Sequence, residues 1–70
     1  MNRAPVVSSN LLAVGHDPKT KVLEVEFQSG RVYTYAGVSA QRKTALLKAP
    51  SLGSYFHKNV RTSYPFKRLK

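Results

Sequence analysis

The chain has no cysteine, so neither a disulfide framework nor a thiolate zinc site holds it together. That fits a reducing cytoplasm, the expected location. The longest apolar run, Leu11–Val14, is far too short to span a bilayer. The opening residues 1–7 are too short and too polar for a secretory signal, and Pro5 discourages regular structure, so they read as a flexible leader. Acids are scarce: only Asp17, Glu24 and Glu26. With His16 and His57 they make a poor ligand set, so neither a metal site nor a cofactor is expected.

Catalytic constellations are equally thin. Glu24 and Glu26 share one strand face and read as solvated strand residues rather than an acid–base pair. Ser54 and His57 stand i, i+3 on a helical stretch but have no orienting acid. The glycines at 15, 30, 37 and 53 are isolated, so no loop cradles a phosphate. The expectation is a protein that is not an enzyme.

What is abundant is positive charge, and it is segregated. Twelve Lys and Arg against three acids give a formal net charge of +9 over 70 residues. Residues 1–30 hold Arg3, Lys19 and Lys21 together with all three acids. Residues 31–70 hold the other nine cations and no acid. Such a split is an electrostatic footprint for an anionic partner.

Periodicity gives the fold. Residues 8–16 read as a first strand, although Leu11–Val14 does not alternate cleanly. Asp17–Thr20 is a turn. Residues 21–28 alternate clearly, with Leu23, Val25 and Phe27 against Glu24, Glu26 and Gln28. Residues 31–36 complete a three-stranded antiparallel sheet. A two-residue turn at Ser29-Gly30 would pair Phe27 with Val32 and place Tyr33 and Tyr35 on the glutamate face. A three-residue loop, with Gly30 in the left-handed position, pairs Val25 with Tyr33 and Leu23 with Tyr35. The second register is favoured because glycine sits where positive φ is needed and the tyrosines extend the apolar face. Two helices follow, over 39–49 and 51–63, started by Ser39 and Ser51 and packed on one face of the sheet. Residues 65–70 are a basic tail. The class is α+β, one domain over 8–64. A core this small leaves homo-oligomerisation as a route to further burial.

The ordered motifs resemble the KTSC domain family. They are Ser8-Ser9, the strand Leu23, Val25 and Phe27 running into Gly30, then Tyr33-x-Tyr35 and Val38. The set closes with Ala49, Ser51, Gly53, Tyr55 and Phe56 ahead of Val60-Arg61 and Tyr64. The family is named for a domain at the C-terminus of some lysyl-tRNA synthetases, and it also occurs as short standalone bacterial and phage proteins. The resemblance implies the fold and an association with RNA, but no catalytic residues. His57 stands where the family more usually has a small polar residue. Gly53 is expected to let the second helix start close against Tyr33 or Tyr35.

The reading favoured on this basis is a small nucleic-acid-binding module, RNA ahead of DNA, because affinity for phosphates needs cations without competing acids. Its phosphate contacts are Arg31, Lys58, Arg61, Lys67 and Arg68, with Tyr64 beside them and Phe66 as a further stacking residue. Tyr33 and Tyr35 serve either as stacking surfaces or, on the favoured register, as core. Tyr55 and Phe56 read as core. Two other partners fit the charge: an acidic protein surface, with the domain acting as an interaction module or phage inhibitor, and a small anionic nucleotide at the helix start formed by Ser51 and Gly53.

Overall fold

The hairpin centred on Ser29 sets the architecture. A computed structural model describes residues 3–70, so the first two positions of the expected leader lie outside the described residues. Strands β3 (Val22–Phe27) and β4 (Val32–Ala36) pair Val25 with Tyr33 and Leu23 with Tyr35. In the loop, the Gly30 N–H donates to the Phe27 carbonyl and the Phe27 N–H to the Arg31 carbonyl, both at 2.9 Å. Gly30 has φ +93°, where a side chain is strained. This is the longer-loop register, and it turns both tyrosines toward the apolar face.

The sheet has five strands, not three. Its order is β1 (Ala4–Pro5), β2 (Leu11–Asp17), β3, β4 and β5 (Phe66–Arg68), all neighbours antiparallel. The stretches read as leader and tail each supply an edge strand. Pro5 is tolerated because it sits on an edge, where its missing N–H costs little. On the other edge, β5 sets Phe66 opposite Tyr35, Lys67 opposite Thr34 and Arg68 opposite Tyr33.

The first long strand starts at Leu11 rather than Ser8. The Ser8 hydroxyl oxygen accepts the N–H groups of Asn10 and Leu11, each at 3.2 Å, and so closes a serine turn in place of strand. A register shift between Leu11 and Ala13 explains the missing alternation: Leu12 is the extra residue, 41% exposed, while Leu11, Ala13 and Val14 are buried.

Helix α1 (Ala40–Lys48) starts where the Ser39 Oγ accepts the Arg42 N–H at 3.1 Å. Helix α2 (Leu52–Asn59) starts where the Ser51 Oγ accepts the Ser54 N–H at 3.3 Å. It ends four residues before the expected position of 63. The N–H groups of Val60 and Arg61 both go to the Phe56 carbonyl, at 2.9 Å each, and the second of these widens the last turn and stops the helix.

Both helices close over one sheet face. The core there consists of Leu11, Val14, Leu23, Val25, Tyr35, Val38, Leu46, Phe56 and Val60. Leu46 is the one buried residue of α1, so burial anchors that helix weakly. Arg42 adds a polar clasp, donating to the Tyr55 hydroxyl at 2.9 Å and to the Tyr64 hydroxyl at 3.3 Å. Glu24 and Glu26 alternate onto the opposite sheet face, where Arg3 forms ion pairs with both. Among the described residues, no helix is long and apolar enough to cross a membrane.

Candidate functional site

A groove of about 490 Å³ opens between the sheet and α2. Its floor is aromatic, because the register of β3, β4 and β5 brings Phe27, Tyr33, Tyr35 and Phe66 onto the helix-covered face. Tyr33 and Tyr35 lie 6.5 Å apart with their planes 19° from parallel. Phe66 stands 5.7 Å from Tyr33 and 6.2 Å from Tyr35, and is 64% exposed. A phenylalanine so exposed beside two packed tyrosines offers an open ring face. Phe56 closes the back of the groove, edge-on to Tyr35 at 5.3 Å and to Phe27 at 5.5 Å.

The rim is cationic. Arg31, just past the hairpin loop, stands on one side; His57 and Arg61, on and beyond α2, stand on the other. Arg61 donates from Nη1 to His57 Nδ1 at 3.1 Å. This contact, rather than one with Ser54, is what engages His57. The Arg61 charge is felt at Tyr35. Burial pushes the Tyr35 phenol up, the neighbouring Tyr33 adds to the rise, and Arg61 opposes it. Among the described residues, no carboxylate lines the groove. The ion pairs among the described residues belong to Arg3 with Glu24 and Glu26, on the far face of the sheet. Asp17 is held below the usual carboxylate range chiefly by the Lys19 N–H, in its own turn.

The residues singled out from the sequence divide between places. Arg31, Arg61, Tyr33, Tyr35 and Gly53 line the groove. Tyr35 is 3% exposed and belongs to the core, while Tyr33 is half-buried and faces both ways. Arg68 pairs with Tyr33 and so extends the same sheet face, whereas Lys67 pairs with Thr34 and lies on the other. Lys58 is exposed on α2 outside the groove lining. Tyr64 serves the Arg42 clasp. The Ser51 oxygen is engaged in capping, and Gly53 packs against Asn10 rather than against a tyrosine. Among the groove-lining residues that were not singled out as contacts are Asn10 and Gln28. Local spacing does not place them there, because it is pairing between the β2 and β3 ends and packing of Asn10 against Gly53 that bring them to the groove.

This is a small basic α+β module: a five-stranded antiparallel sheet with two helices over one face and an acid-free aromatic groove beside them. The sequence model of the KTSC domain matches residues 7–64, and the chain belongs to the KTSC domain family. It is 46% identical over 57 residues to an uncharacterized protein of Stutzerimonas stutzeri, covering 81% of this chain and 80% of that one. It is 38% identical over 61 residues to a lysine–tRNA ligase of a Nostoc species, covering 87% of this chain but only 11% of the ligase. The crystal structure of a KTSC domain protein from Yersinia pestis superposes with a TM-score of 0.92 at 30% identity, covering 99% and 97% of the two chains.

Proposed function

We propose that this domain binds single-stranded nucleic acid, RNA in preference to DNA, with unpaired bases against the Tyr33–Phe66 floor and phosphates on Arg31 and Arg61. The observation that carries this reading is the coincidence of two arginines and an exposed aromatic ring in one groove that no carboxylate lines. Arginine neutralises phosphate without regard to sequence. A ring face adds about 1–3 kcal/mol per stacked base. A duplex hides its base faces, so a floor recessed between sheet and helix favours unpaired strands. Kinship with proteins named lysine–tRNA ligases supports RNA over DNA as the polymer.

Fluorescence anisotropy with a short labelled RNA, the same sequence as DNA and the RNA duplex tests the proposal. The single strand should bind best. With two phosphate contacts its affinity should fall about sevenfold between about 50 and about 200 mM salt. Equal affinity for duplex and single strand, or binding indifferent to salt, would overturn it. A pull-down partner that survives nuclease would point to an acidic protein instead.

A further inference from the structure

We infer that His57 is a third phosphate contact of the groove, engaged only when its ring is protonated, so that a single strand binds more tightly as pH falls; this rests on the groove being a nucleic-acid site.

The two side chains on the α2 side of the rim touch each other. Arg61 Nη1 stands 3.1 Å from His57 Nδ1. A guanidinium only donates, so the imidazole nitrogen accepts. A protonated imidazole has no acceptor left, because both of its nitrogens carry hydrogen. Protonation therefore breaks this hydrogen bond. It frees the Arg61 donor and leaves two cations side by side.

No group of the fold around them offsets that pair of charges. The titratable and charged side chains that line the groove with His57 are Arg61 on the same rim, Arg31 across it, and the phenols of Tyr33 and Tyr35 on the floor. Lys58 follows His57 on α2, and Arg68 extends the same sheet face from β5. The acids are engaged elsewhere: Asp17 accepts the Lys19 N–H in its own turn, and Glu24 and Glu26 pair with Arg3 on the far face of the sheet. The counter-charge must come from outside. A phosphodiester supplies it, with one non-bridging oxygen accepting from Arg61 and the other from protonated His57. The Arg61 charge is felt at the Tyr35 phenol, so a phosphate held by this pair lies beside the aromatic floor. One proton is taken up from solvent as the strand binds. Histidine gains its charge between about pH 8 and about pH 5, where arginine and tyrosine keep theirs unchanged.

The test is an anisotropy titration with a short labelled oligo(U), since uracil has no group that titrates over this range. Between about pH 8 and about pH 5.5, affinity should rise about two- to fivefold, as an exposed ion pair allows. Across a salt series, the slope of log affinity against log salt should steepen by about 0.7, the share of one further phosphate on a single strand. His57 is exposed, so His57→Gln leaves the core intact, and it should lose both changes. His16→Gln should keep both, because His16 meets the Val38 carbonyl at 2.7 Å, away from the groove. Circular dichroism at both pH values checks that each variant is folded. Affinity that ignores pH, a gain that persists in His57→Gln, or a gain lost in His16→Gln instead overturns the role of His57 and leaves the groove as a general site. Tightening without a steeper salt slope does the same, because no phosphate contact has then been added. No binding of oligo(U) at either pH overturns the nucleic-acid reading as well.

Discussion

Replacing Phe56 with leucine tests how the groove is joined to the core. Phe56 is 4% exposed and meets two ring faces edge-on: Phe27 at 5.5 Å with planes 70° apart, and Tyr35 at 5.3 Å with planes 82° apart. Leucine keeps most of the apolar burial but loses both aromatic contacts. Each is worth about 0.5–1.5 kcal/mol beyond area, so the variant should lose about 1–3 kcal/mol. A chain of this length unfolds with an entropy of about 150 cal/mol/K, so each kcal/mol moves the melting temperature by about 7 °C. Phe56→Leu should therefore melt about 7–20 °C lower in far-ultraviolet circular dichroism. Net stability for 70 residues is about 4–10 kcal/mol, so the variant still folds at room temperature. A melting temperature within about 2 °C of the parent would refute the reasoning, because α2 would then be held by something other than these ring contacts.

The hairpin register makes a second prediction. Nothing lies within 4 Å of a Cβ added at Gly30, so the cost of Gly30→Ala is backbone strain alone, about 1–2 kcal/mol at φ +93°. The melt should fall by about 7–14 °C, and an unchanged melt would contradict the left-handed loop. The third concerns alkaline pH. Burial raises the Tyr35 phenol above 10.0 in the folded state. A raised acid favours its protonated form when folded, so this contribution is complete below pH 10.0 and lost as pH rises through the folded value. Melts over a rising pH series should show a steeper alkaline loss for the parent than for Tyr35→Phe; identical slopes would contradict it.

The middle of the fold is legible in the sequence because β3 alternates strictly and Gly30 selects one loop length. Ser39 and Ser51 likewise announce both helices. The edges were not legible for physical reasons. Ala4–Pro5 and Phe66–Arg68 are two and three residues long, too short for a period to show, and each is strand only because a neighbouring strand offers it a partner. The end of α2 depended on a shared carbonyl at Phe56, which no local pattern records. The same distinction runs through the site. Arg31 and Arg61 could be named from the charge split, but charge does not tell which face of a strand a residue takes. Lys67 and Arg68 therefore part company one position apart. Tyr64 read as a free aromatic and is instead the partner of Arg42, 22 residues away in the chain. Asn10 carried no signal until Gly53 stood beside it.

The most direct measurement of the central claim is a two-dimensional amide NMR titration with a short single-stranded RNA. The account predicts shifts concentrated at Asn10, Gln28 to Tyr33, Gly53 to His57, Arg61 and Phe66, with little change at Gly15, Glu24 and Thr34 on the far face of the sheet. Shifts centred on that far face, or scattered evenly over the molecule, would contradict it.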